Sequence, residues 1–305
     1  MSEPARLNGA RKRHRPRANS GPRRGWTFSP EAMLLLLTLV LPELGRAQGA
    51  QATERTLIID DGAAERRFTA VELLARPDAV VLNVAGDVYH QKVAYRAVPL
   101  LALLGNHPDD KFDAVEAKAS DGFVAQIPLA LIAKGANGGA VALIAVEDPA
   151  QPWPALPQKT ETAGPFYWIW KDPEKSGVTR EQWPYQLVRL SFVESPVRRW
   201  PQLAGPASGA ADASARHGQD VFVTQCLPCH RLNGGGASDT GPDLGRPMGP
   251  TQYLTDAGLR AIIRNPQAVR TWPGQRMIGF GANTLPDTDL DALIAYLRVM
   301  VASKQ

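Results

Sequence analysis

The only two cysteines of the chain stand three positions apart and run straight into a histidine, as Cys226-Leu227-Pro228-Cys229-His230. A pair this close excludes a disulfide scaffold for a chain of 305 residues. It also puts all the thiol chemistry into one turn. A structural zinc would need four ligands, and no second Cys or His pair lies nearby in the sequence. A thioredoxin-type redox pair belongs in a strand–helix–strand setting, whereas the flanks here read as a helix and a Gly-rich loop. A chance pair of core thiols suits an exported chain poorly, because both would be open to oxidation. Covalent haem attachment accounts for the spacing. Two thiols one helical turn apart reach the two vinyl groups on one porphyrin edge, and the adjoining histidine swings under the iron. The predicted cofactor is one haem c, with His230 as a ligand of the metal.

The export reading rests on the N-terminus. Residues 1–52 carry nine basic and three acidic side chains, so the chain's net +4 becomes −2 over the remainder. That remainder has no basic cluster to neutralise a run of phosphates, which argues against nucleic acid as a partner. The basic stretch ends at Arg23-Arg24 and is followed by the apolar run Met33 to Leu41. Small residues then offer a cleavage site at Ala50-Gln51-Ala52, or alternatively at Gly45-Arg46-Ala47. The apolar run has about half the length that spans a bilayer. The expectation is a signal peptide over 1–52, cleaved near Ala52, and a periplasmic protein. An uncleaved signal anchor with peripheral membrane association is the alternative. Arg23-Arg24-Gly25-Trp26 hints at twin-arginine export, but the residues after the pair fit that signal poorly.

Length allows about two domains. Over 53–194, short β-like runs (Leu57 to Ile59, Ala79 to Val84, Val141 to Val146, Phe166 to Trp170, Gln186 to Val193) alternate with short helical signals. Thr69-Ala70-Val71-Glu72 has the form of a capping box. Ser120-Asp121-Gly122, flanked by Phe112 to Ala119 and Phe123 to Ile127, predicts a hairpin. These elements predict an α+β domain built on one sheet. Residues 195–211, rich in Pro, Gly, Ala and Ser, read as a linker. Residues 212–305 read as all-α. One helix is predicted over Ala213 to Gln225, and a second, capped by Thr255, presents Leu259, Ile262 and Ile263. A last helix starts near Pro286-Asp287, with Leu290, Leu293, Ile294 and Leu297 on one face.

With the motif in that setting, residues 212–305 resemble a class I cytochrome c. The resemblance is carried by Gly218 and Phe222 ahead of Cys226, by Gly241-Pro242-Asp243-Leu244, and by Leu293-Ile294-Ala295-Tyr296-Leu297. It implies that the Pro242 carbonyl accepts the proton of the proximal His230 imidazole. It also implies that Tyr296 lies in the core where the last helix packs on the first. Met277, between Pro273-Gly274 and Gly279-Phe280-Gly281, occupies the place of the family's sixth iron ligand. Met248, Met300 and His217 are the other candidates. A thioether ligand favours ferrous iron and fills the position where oxygen would bind. Arg270 and Trp272 precede that loop and are candidates for haem propionate contacts.

Residues 53–194 resemble the molybdopterin-binding domain of the sulfite-oxidase-like family. The matching segments are Tyr95 to Leu101, Ser120 to Phe123, Ile127 to Leu129, Gly164 to Phe166 and Leu187 to Val193. The cysteine that ligates molybdenum in that family is missing here, as is most of the family's N-terminal part. Molybdopterin is therefore not expected. His90 and His107 are isolated, Asp109-Asp110 reads as a loop, and Trp153, Trp168, Trp170 and Trp183 read as core aromatics. No nucleophile–base pair or phosphate loop stands out. The sequence favours an electron carrier serving a redox partner protein, with the first domain as a cofactor-free docking module. The alternative is a haem-containing oxidoreductase whose first domain binds a pterin or a small-molecule substrate.

Overall fold

The computed structural model describes residues 55–84, 88–91, 93–105, 111–205 and 210–302. The expected signal segment, His107 and Asp109-Asp110 lie outside the described residues. No helix among the described residues is long and apolar enough to cross a membrane.

Strand β1 (Leu57–Asp60) turns Leu57 and Ile59 inward and pairs antiparallel with β2 (Glu65–Phe68). The sequence Glu-Arg-Arg-Phe hides β2 from a hydrophobic pattern, because an edge strand can leave its charged side chains in water. Helix α1 (Ala70–Leu74) starts on the Thr69/Glu72 capping box, formed in both directions. There follow β3 (Val80–Asn83), β4 (Ala94–Pro99), α2 (Leu100–Leu104), the hairpin β5 (Ala114–Ala119) and β6 (Val124–Pro128), α3 (Leu129–Ala133), β7 (Val141–Val146), β8 (Phe166–Lys171) and β9 (Leu187–Val193).

The strands form two sheets, not the single sheet predicted from the apolar runs. Their orders are β2-β1-β9-β5-β6 and β3-β4-β7-β8. The core between them draws Leu57, Ile59, Val115 and Leu190 from the first, and Val98, Ile144, Phe166, Trp168 and Trp170 from the second. The second sheet is covered on its other face too, where Tyr95, Leu143, Tyr167 and Ile169 pack with Trp153. Burial on both faces explains why Phe166 to Trp170 is apolar without alternation. Strand alternation is thus lost where it would have separated the two layers.

After β9 the chain makes α4 (Pro196–Arg199) and a 3-10 turn at Pro201–Leu203. Within residues 195–211, expected as a linker, Arg199 and Leu203 are each bonded to a neighbouring part of the chain. Arg199 reaches Glu116 at 2.6 Å, and Glu116 also accepts from Gln126 at 2.8 Å. Leu203 is fully buried in the core of the helical part, and its carbonyl accepts the Tyr296 hydroxyl at 2.6 Å.

The helical part comprises α5 (Ala210–Val221), α6 (Pro250–Tyr253), α7 (Asp256–Arg264), α8 (Pro266–Val269) and α9 (Asp287–Ala302). The first helix does not run as one α-helix to Gln225, because Phe222–Cys226 is a π-turn. Helices α5 and α9 cross where Gly218 meets Ala292, and a Cβ on Gly218 would collide with the Ala292 carbonyl oxygen. Phe222 and Tyr296 seal the crossing with ring centroids 5.6 Å apart. Residues 51–305 form one compact unit.

Candidate functional site

The π-turn hands the chain to the motif. Leu227 N–H donates to the Phe222 carbonyl, and a single helical turn follows in which Cys229 N–H and His230 N–H both donate to the Cys226 carbonyl. The two thiols therefore share one turn and are joined to nothing else. His230 Nδ1 lies 2.8 Å from the Pro242 carbonyl oxygen. A carbonyl can only accept, so this bond places the ring proton on Nδ1 and leaves the Nε2 lone pair for a metal.

The loop that presents Pro242 is held by Asp243, whose carboxylate accepts from the N–H groups of Asn233, Gly234 and Gly245 at 2.7–2.9 Å. Gly241 lies flat on the imidazole, and a Cβ there would come within 2.5 Å of the ring. Asp243 was visible in the sequence only as part of a matching segment. Its work is done by backbone geometry that no residue pattern announces.

Burial dominates the electrostatics. It pushes both thiols up to about 12, and the nearby Glu181 carboxyl adds to the effect. Such thiols stay protonated at neutral pH, which is the reverse of what a dithiol redox pair requires. Burial also lowers the His230 pKa below its ordinary value, against an opposing pull from the Pro242 bond, so the imidazole is neutral. Glu181 is itself buried, and burial raises its carboxyl to about 7. Nothing in the sequence singled it out. Among the described residues no group of three or more His, Cys, Asp or Glu side chains converges to hold a metal, so the zinc alternative finds no ligand set there.

The candidates for a sixth ligand separate cleanly. Met300 is buried in the α5–α9 core, and Met248 is exposed in the loop before α6. His217 stands on the outside of α5, 2.8 Å from Asp289 of α9. Met277 lies in an irregular segment and packs partly buried against the helical core. Trp272 is half-exposed and Arg270 is exposed.

A family model described as cytochrome c matches residues 215–300. The C-terminal part of the chain is a cytochrome c domain. No curated protein matches the chain. The family assignment carries haem c, covalently bound, and haem-based electron transfer. When bound, haem supplies a one-electron iron couple. The residues present fit that group. Two protonated thiols share one turn, and the imidazole beside them has its Nδ1 fixed by a carbonyl, which leaves Nε2 free. Arg231 Nε and Gln275 Nε2 are buried donors without a partner, and haem brings two propionate acceptors.

The cytochrome c domain is not isolated from the α+β part. The Val124 N–H at the head of β6 donates to the Pro228 carbonyl, inside the motif, at 3.0 Å. Ser238 Oγ donates to the Gly122 carbonyl at 2.9 Å. Arg276, beside Met277, pairs with Asp121 at 2.9 Å. The tip of the β5–β6 hairpin thus touches the Cys226–His230 motif, the loop behind it and the Met277 segment. The sequence reading located that hairpin but gave it no partner.

Proposed function

We propose that the chain is an exported mono-haem cytochrome c that passes single electrons between periplasmic partners. In this reading Cys226 and Cys229 form the thioethers, His230 is the proximal ligand, and Met277 is the sixth. The observation that carries it is the bond from His230 Nδ1 to the Pro242 carbonyl, one residue beyond two half-buried, protonated thiols. That combination leaves a single imidazole nitrogen for iron and makes no use of thiolates.

Residues 53–194 serve, in the same proposal, as a docking module without a cofactor of their own. Their α+β layers suit the sulfite-oxidase-like resemblance, while the molybdenum-ligating cysteine has no counterpart, since both cysteines belong to the motif. Fold does not fix function, and a retained shape can recognise a partner after a cofactor is lost. The hairpin contact with Pro228 puts this module beside the attachment turn, so a partner could meet both at once. The test is metal analysis of the full-length holoprotein together with reduction by a candidate donor. Stoichiometric iron without molybdenum, and rapid haem reduction, agree with the proposal. Stoichiometric molybdenum would convert the first domain into an enzyme.

A further inference from the structure

Met277 sits in a segment without regular structure, where Gln275 N–H closes a turn onto the Trp272 carbonyl and Gly274 adopts φ +78°. Such a segment needs anchors if one side chain is to keep its aim. Downstream, the anchor belongs to the cytochrome c domain. Phe280 N–H donates to the Ile263 carbonyl at 3.0 Å, and Arg264 donates to the Phe280 carbonyl at 2.8 Å and to the Leu285 carbonyl at 2.5 Å. Gly279 passes so close to the Arg264 carbonyl that a Cβ would clash with it.

Upstream, the anchor comes from the other domain. Arg276 reaches the Asp121 carboxylate at 2.9 Å and the Asp121 carbonyl with both terminal nitrogens at 3.3 Å. Asp121 is itself fixed, because its other carboxylate oxygen accepts the Phe123 N–H at 3.1 Å. The hairpin tip is in turn bonded to the cytochrome c domain through Ser238 and Pro228. The charge that holds Arg276 therefore sits on a rigid turn.

We propose that Asp121, a residue of the first domain, is a positioning residue for the sixth ligand, holding the Met277 segment in place through Arg276. The inference rests on the reading of Met277 as that ligand. It gives the first domain a direct hold on the haem site, separate from any partner it docks. A loosened segment lets Met277 leave the iron more readily, and an added ligand then competes better for the position.

The experiment uses full-length ferric holoprotein, free imidazole as the competing ligand, and the far-red sulfur-to-iron band as the readout, with thermal unfolding on the same samples. Asp121→Asn keeps the oxygen that accepts Phe123 N–H and removes the charge, while Arg276→Gln removes the other partner. Each is expected to tighten apparent imidazole binding about two- to fivefold, in keeping with a partly exposed ion pair, and the double variant no further than either single one. A purely structural role would lower the unfolding temperature and leave imidazole affinity unchanged. Wild-type affinity in both single variants, with the band lost in Met277→Ala, overturns the positioning role and leaves the ligand intact. A band that survives in Met277→Ala overturns the ligand reading, and the positioning role with it.

Discussion

The N–H of Val124 donates to the carbonyl of Pro228 at 3.0 Å, so the outer edge of the first sheet ends on one of the two residues between the motif cysteines. An edge strand normally presents such donors to water. Here the Cys226–His230 turn takes one up. The sheet and the cytochrome c domain are therefore expected to open together at this point. In native-state hydrogen exchange of the holoprotein, the Val124 amide should be protected like amides of the central strand β9. Exchange as fast as that of a free loop would show that the contact is not maintained.

The Ser238 hydroxyl donates to the Gly122 carbonyl, and Ser238 is completely buried. Ser238→Ala removes the donor and leaves a carbonyl at the domain boundary short of a partner. A loss of about 1–2 kcal/mol in denaturant unfolding is expected. No loss would mean that the boundary is already solvated.

Gly218 allows α5 to approach the α9 backbone at Ala292. Gly218→Ala should separate the helices and cost about 1–3 kcal/mol, even though alanine is the better helix former. The check is a denaturation midpoint on the holoprotein. A stabilised variant would mean that propensity wins and that the crossing is loose.

Glu181 carries a pH signature. Its native pKa of about 7 lies above the ordinary 4.5, so between those values the folded chain holds a proton that the unfolded chain releases. Stability attributable to this group is present below pH 4.5 and declines as pH rises to about 7, by up to ~3 kcal/mol in all. Glu181→Gln cannot ionise and should flatten that decline. Unfolding curves at about pH 5 and about pH 8 should show the variant gaining more on the wild type at the higher value. An equal difference at both would assign Glu181 a role unrelated to its charge.

Much of this was legible before the structure. The spacing of Cys226, Cys229 and His230 is a local chemical constraint, and Leu290, Leu293, Ile294 and Leu297 repeat at a helical period that the core requires. Thr69 and Glu72 announced their cap for the same reason, since the partners lie within one turn. Strand β2 was hidden because its side chains obey solvent instead of the core, and the second layer was hidden because Phe166 to Trp170 is buried on both sides. The π-turn before Cys226 leaves no compositional mark. The contacts of Asp121 with Arg276, and of Glu181 with the motif turn, join residues far apart in the chain, which no local pattern can reveal.

Covalent attachment of one haem to Cys226 and Cys229 underlies the proposed electron transfer. Intact mass of the full-length holoprotein, taken before and after acid–acetone extraction and compared with Cys226→Ala/Cys229→Ala, tests it directly. The expected result is one haem mass added to the polypeptide, unchanged by extraction, and no haem mass on the double variant. Haem that leaves in the acetone phase, or that stays bound to the double variant, would contradict it.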